Sequence, residues 1–246
     1  MDVTDHGPVR VLTFDRPEKL NALDAGLADR ATAALRAADD DPSVGAVVLT
    51  GSGRAFCAGV DLDHLAAIGA KTESAEHTVS FNNAVRFMRT PLIMAVNGMA
   101  VGVGTTMCLH ADLVVAAASA RFRTPFAAIG VAPEIGSSRL LPNQIGHQRA
   151  SWMLLTADWV DAATSVEWGL ALEVVADEQL IERAVEIGKT IAANDAEAVA
   201  TAKNTMRAWR LPLIETAEAI ENAAFSKLLG REGRASSTLV PVRTDP

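Results

Sequence analysis

The chain has 246 residues, 49% of them hydrophobic, and sets 22 Lys and Arg against 30 Asp and Glu for a formal net charge of −8. That length buries a sizeable core as one large domain, or one domain with a small appendage. The acidic balance argues against nucleic-acid binding, and Cys57 and Cys108 form no ligand cluster, so reduced thiols and no metal site are expected.

The opening MDVTDHGPVRV has no basic stretch followed by an apolar one, so no secretory signal is expected. The longest apolar run, near 113–118, is far too short to span a bilayer. A soluble, cytoplasmic protein without membrane contact is the expectation. Val9–Phe14 (VRVLTF) reads as a strand ended by Asp15-Arg16-Pro17. Asn21-Ala22-Leu23 follows as a loop, and Asp24 is placed to N-cap an alanine-rich helix reaching about Ala38.

Segment 46–50 (AVVLT) is a buried-type strand, and 55–62 a loop turning into a helix. Phe81, Val85 and Met88 share one face of a helix expected over 74–88, which Thr90-Pro91 breaks. Leu92–Val96 is the next strand, 102–110 a helix and 112–116 a strand. This alternation predicts an α/β domain whose sheet is covered on both faces. Beyond Gly136 the pattern is helical at 138–145, 149–155, 178–192, 197–209 and 213–229, with 171–175 strand-like. The expected division is a core over 1–145 and a helical C-terminal region over 146–246.

Three segments carry candidate chemistry. In 51–62 (GSGRAFCAGVDL) a strand end, glycines and a helix start leave backbone N–H groups free at a positive dipole end. Gly59 lets the backbone approach a ligand and Asp61 is a candidate cap, although an ordinary strand-to-helix turn explains the segment equally. Segment 97–106 (NGMAVGVGTT) repeats the layout without the G-x-G-x-x-G dinucleotide spacing. Two such turns after parallel strands suit an oxyanion hole, which needs two converging donors. The third segment, 120–141 (ARFRTPFAAIGVAPEIGSSRLL), holds a single carboxylate, Glu134. That group either moves a proton beside the oxyanion or complements a helix dipole, and Ser137 and Ser138 either bond it or cap the helix. His64 and His77 read as solvated, and Lys71, Arg54 and Arg86 as surface cations within reach of phosphates. Trp152, Trp159, Trp168 and Trp209 read as packing anchors.

AFCAGVDL, VNGMAVGVG, DLVVA and PEIGSS, with Arg16-Pro17 and Asn21-Ala22-Leu23, together resemble the crotonase (enoyl-CoA hydratase/isomerase) superfamily over roughly 9–171. The resemblance implies an α/β fold, a crotonase-like spiral of ββα units with a helical C-terminal trimerisation region. It implies a homotrimer or a dimer of trimers, an acyl-CoA thioester substrate, and no cofactor beyond the coenzyme A that enters with it. By position, the N–H groups of Val60 and Val103 would grip the thioester oxygen. The substrate would lie along Ala58, Val60, Asp61, Leu62 and Asp63, near Ala22, Leu23 and Phe126.

Hydratases of this family resemble one another in two glutamates, and those positions hold Thr106 and Phe126 here. Glu134 is instead similar in position to the catalytic glutamate of the Δ3,Δ2-enoyl-CoA isomerases, particularly the peroxisomal type. The resemblance then implies conversion of a 3-enoyl-CoA to the 2-trans isomer, with Phe126, Ile129 and Val131 raising the Glu134 pKa by desolvation. A hydratase or other acyl-CoA lyase, and a non-catalytic acyl-CoA-binding protein, are the alternatives. The family's C-terminal phenylalanine and lysine have no clear counterpart in 233–246.

Overall fold

The computed structural model describes residues 1–229. Its strands are β1 (Asp2–His6), β2 (Val9–Phe14), β3 (Ala46–Gly51), β4 (Ala55–Cys57), β5 (Leu92–Val96), β6 (Met99–Val101), β7 (Leu113–Ala117), β8 (Arg121–Arg123), β9 (Val160–Asp161) and β10 (Glu173–Val175). They form a six-stranded sheet ordered β1-β2-β3-β5-β7-β10 and a four-stranded one ordered β4-β6-β8-β9. β1 in the large sheet and β9 in the small one pair antiparallel with their neighbours, and all other pairings are parallel.

The helices are α1 (Ala25–Asp39), α2 (Leu62–Gly69), α3 (Glu76–Arg86), α4 (Val103–Thr106), α5 (Phe126–Ile129), α6 (Ser137–Ile145), α7 (His147–Ser151), α8 (Ala162–Trp168), α9 (Leu180–Ala192) and α10 (Ala196–Leu229).

Side-chain alternation along the large sheet divides its residues between two cores. Leu12, Phe14, Val47, Leu49, Leu92, Met94 and Val96 join Leu27 and Leu35 of α1 on one face. Val9, Val11, Val48, Ile93, Ala95 and Val115 meet Leu180, Ala184 and Val185 of α9 on the other. Burial on both faces is why β3 and β5 read as unbroken apolar runs. α1 begins where expected, since the Asp24 carboxylate accepts the Leu27 N–H at 2.7 Å. Each fully buried leucine on its inner stripe contributes about 1.5–3 kcal/mol relative to exposure.

Several elements differ from expectation. Segment 102–110 is one α turn followed by a 3-10 turn, Met107–His110, and 149–155 divides between α7 and a π turn, Trp152–Thr156. The two helices expected over 197–209 and 213–229 are one helix, α10, with Pro212 inside it. Pro212 and Ala208 are both exposed, so the carbonyl deprived of an N–H partner is solvated and the helix continues. α10 docks through polar bonds: Lys203 to Asp112 and the Thr90 carbonyl, and Arg207 to the Phe87 carbonyl. Cys57 and Cys108 are buried and unpaired, and burial pushes the Cys57 thiol up to about 12. No helix among the described residues is long and apolar enough to cross a membrane.

Candidate active site

The site is assembled from loops that leave the strands at one end. Asn21, fully buried with φ 56°, ties the first two together. Its Oδ1 accepts the Arg16 N–H, and its Nδ2 donates to the Ser52 and Ala55 carbonyls at 2.9 and 2.8 Å. Leu23 then bridges to the 59–61 turn, its N–H on the Gly59 carbonyl and its carbonyl on the Asp61 N–H. In a parallel bridge of this kind the intervening residue faces away from the partner strand, so the Val60 N–H is left for another acceptor. Arg16 fixes the same turn, donating to Asp61 Oδ2 at 2.7 Å and to the Ala22 carbonyl at 3.0 Å. Burial alone would raise the Asp61 carboxyl; Arg16 and the Asp63 N–H outweigh it and hold the group below the usual range.

The second turn is held by its own glycine. Gly102, at φ 55°, donates to the Arg123 carbonyl and caps α4 by accepting the Thr105 and Thr106 N–H groups. Val103, as the first residue of α4, has no intrahelical acceptor for its N–H. Among the described residues neither the Val60 nor the Val103 N–H has a hydrogen-bond partner.

The two turns touch. A Cβ added at Gly59 would come 3.0 Å from the Val101 carbonyl oxygen, and one added at Gly102 would lie 3.9 Å from both Gly59 Cα and Glu134 Oε1. Two unclaimed amides and one carboxylate therefore share the same few ångströms of space.

Glu134 lies in a loop between α5 and α6 in which Ile135 and Gly136 both adopt positive φ, 46° and 75°. The Ser137 hydroxyl accepts the Glu134 main-chain N–H at 3.3 Å, and the Glu134 carbonyl accepts the Ser137 N–H, so Ser137 shapes the loop. The anion at the start of α6 is a different residue. Glu221 of α10, 4% exposed, accepts the Gly136 and Ser138 N–H groups at 2.8 Å each. The dipole-complementing role considered for Glu134 thus belongs to Glu221. His110 completes the clamp, donating from Nε2 to the Ile135 carbonyl at 2.7 Å, with burial pushing its pKa down to about 4 so that it stays neutral. The Glu134 carboxyl is pushed up to about 7, first by burial and then by the negative charge of Glu221. Its remaining exposed surface faces a cavity.

That cavity encloses about 450 Å³, within the range of small-molecule sites. Of the residues singled out in the sequence, Ala22, Ala58, Val60, Asp61, Leu62, Asp63, Val103, Phe126 and Glu134 line it. Leu23 lies fully buried and acts through the bridge just described. Phe126, Ile129, Val131 and Ala132 make an apolar wall beside Glu134. Sequence reasoning missed Lys19, Arg123, Trp159 and Phe225, which line it too. Lys19 had a usable signal in its closeness to Asn21-Ala22-Leu23. Trp159 and Phe225 had none, because a two-residue strand and the far end of α10 bring them in. The search for the family's C-terminal phenylalanine and lysine in 233–246 falls outside the described residues.

Other expectations need correction. His64 is 5% exposed, with Nδ1 2.5 Å from Glu73 Oε2, because α2 turns it inward. His77 keeps an exposed side chain, as expected, and pairs there with Asp29, which raises its pKa. Arg86 is bonded to Glu218, while Arg54 and Lys71 are exposed and stand apart from the cavity wall. Trp152 and Trp209 are 50% and 80% exposed and anchor no core. Thr106 is wholly buried, its hydroxyl without a partner among the described residues. No group of three potential metal ligands occurs among those residues.

Known proteins resemble this chain in sequence and fold. A family model described as Enoyl-CoA hydratase/isomerase matches residues 4–238. A probable enoyl-CoA hydratase of Rhodobacter capsulatus is 43% identical over 68% of the chain, and the match spans 65% of that relative's length. The 1,2-epoxyphenylacetyl-CoA isomerase of Escherichia coli is 31% identical over 91% of the chain and 87% of its own. The crystal structure of an enoyl-CoA hydratase/isomerase from Pseudoalteromonas atlantica superposes with a TM-score of 0.88 at 34% identity, covering 94% of this chain and 92% of that one. The α/β spiral is therefore the crotonase fold, and the chain belongs to the enoyl-CoA hydratase/isomerase family of acyl-CoA enzymes.

Proposed function

We propose that the protein shifts the double bond of a 3-enoyl-CoA to the 2-trans position, using Glu134 as the one proton carrier. The observation that carries this reading is a carboxylate with a pKa near 7 beside two unclaimed main-chain amides. In the proposed reaction the thioester oxygen accepts hydrogen bonds from the Val60 and Val103 N–H groups. Glu134 removes a C2 proton, and the electron pair moves onto the thioester oxygen to give a dienolate. The same carboxyl returns the proton to C4, the C2–C3 double bond forms, and the oxygen reverts to a carbonyl. No water is consumed and no cofactor takes part; coenzyme A stays attached throughout. Two preorganised donors matter because removing one such group typically costs about 3 kcal/mol of barrier. Ala22, Ala58 and Asp61–Asp63 would carry the coenzyme A portion, with Lys19 nearby for its charge, and Phe126 and Ile129 the acyl tail.

Hydration is the second reading, favoured by the names of several relatives, among them the Rhodobacter capsulatus protein. It needs a group to activate water as well as a proton donor. The two positions where the family's hydratases carry glutamates hold a buried threonine and a phenylalanine, which supports the one-carboxylate reaction. Purified protein given 3-hexenoyl-CoA is expected to form the conjugated thioester rapidly. Given crotonyl-CoA, it is expected to form the 3-hydroxy product at least a hundredfold more slowly. The reverse order of rates would establish a hydratase instead. Tight acyl-CoA binding with neither turnover would leave a binding protein. Met206, Trp209, Leu213 and Ile220 form an exposed apolar stripe on α10, which the implied homotrimer or dimer of trimers would have reason to cover.

A further inference from the structure

One cation in the cavity wall is left without a partner by the scheme above. Arg123 ends β8, one strand over from the Val101-Gly102 turn, and its own carbonyl accepts the Gly102 N–H. Its side chain is half-buried. Nε donates to the Ala157 carbonyl at 2.6 Å, and the guanidinium lies over the Trp159 ring with Cζ 5.3 Å from the centroid. One bond and one stacked face fix the plane of the group. Nη1 and Nη2 have no acceptor among the described residues, and no carboxylate there pairs with Arg123. Arg121 shares the same indole at 4.7 Å, but it has Asp161 beside it. Arg123 is thus a preoriented fork with both terminal nitrogens unspent, lining the same cavity as Phe126, Trp159 and Glu134. A half-buried cation without a counter-charge carries a desolvation cost that a matching anion offsets, and a planar guanidinium matches a carboxylate in bidentate fashion.

We propose that Arg123 is a specificity residue, and that the preferred acyl group carries a terminal carboxylate, making the substrate the monothioester of a dicarboxylic acid. The inference rests on the acyl-CoA reading of the cavity and names the substrate class for it. The carboxylate is held by Nη1 and Nη2 while Trp159 covers the guanidinium face. The thioester is held by the Val60 and Val103 N–H groups of the same cavity.

The test is an equilibrium binding series on the intact protein, which needs no turnover. Succinyl-, glutaryl- and adipoyl-CoA are compared with butyryl-, valeryl- and hexanoyl-CoA, with free coenzyme A as the baseline. At one chain length at least, the carboxylate-ended ligand is expected to bind tenfold or more tighter than its methyl-ended counterpart. Arg123→Met is expected to abolish that ratio and Arg123→Lys to restore part of it. Methyl-ended ligands binding as well or better at every length in the wild-type protein would overturn the inference while leaving the acyl-CoA site intact. So would an Arg123→Met variant that weakens both series and free coenzyme A equally, since that marks a phosphate contact. No acyl-CoA binding at all would overturn the reading of the cavity together with this inference.

Discussion

Glu134→Gln is expected to lower kcat/KM for 3-hexenoyl-CoA by roughly 100- to 10,000-fold, the range over which a positioned proton carrier contributes. The amide keeps the shape of the side chain and loses only its ability to take a proton. In the wild-type protein the carboxyl must be ionised to act as base, so kcat/KM is expected to rise with pH through about 7. Replacing the neighbouring anion, as in Glu221→Gln, is expected to move that midpoint down, because one cause of the raised value disappears.

The same substitution at Glu134 has a stability signature of opposite sign. A carboxyl that titrates near 7 in the folded state and near 4.5 in the unfolded one does not oppose folding below pH 4.5, where both forms are protonated. Between 4.5 and 7 the unfolded chain ionises first, and wild-type stability falls relative to the variant. Above pH 7 Glu134→Gln is therefore expected to be more stable than wild type by up to about 3 kcal/mol. Denaturant unfolding at pH 5 and pH 8 reads this directly. A variant as active as the wild-type protein would remove Glu134 from the mechanism.

Gly104→Ala is expected to damage fold and site together. A Cβ at that position would sit 2.2 Å from the Cys57 carbonyl oxygen, a main-chain atom at the end of β4 with no side chain to swing aside. Either α4 moves off the small sheet or the 57–60 turn does, and each carries one of the two amides assigned to the oxyanion. Overpacking of this kind costs about 1–3 kcal/mol and occasionally more. Stability should fall by at least that much, and the rate by more than the stability loss alone implies. Wild-type unfolding with unchanged kinetics would mean that the two turns are not packed as described.

Much of the fold was legible because its central strands are buried on both faces. β3 and β5 have no polar residue to interrupt the apolar run before its end, and Asp24 announces α1 by its capping chemistry. The short strands β4, β6, β8 and β9 were not legible: with two or three residues each, alternation has no length in which to register. Pro212 misled because a proline in an exposed helical turn costs one solvated bond and leaves the helix intact.

At the site, glycine turns and an isolated carboxylate could be read locally, since each depends on its own neighbours in sequence. Glu221 could not. Flanked by exposed Ile220 and Asn222, it reads as one more acidic residue on a solvated helix face, yet its partners lie 83 and 85 residues upstream. His64 failed for a related reason, since its burial depends on how α2 turns back over Glu73.

The central claim is that one carboxyl moves one proton from C2 to C4 inside a walled cavity. The most direct test follows a label through the first turnover of 3-hexenoyl-CoA deuterated at C2, with the reaction run in ordinary water and quenched at the shortest accessible times. Deuterium carried over to C4 in a measurable fraction of the 2-trans product is the result predicted. Product whose C4 hydrogen comes wholly from solvent even then, or no product at all, would contradict it.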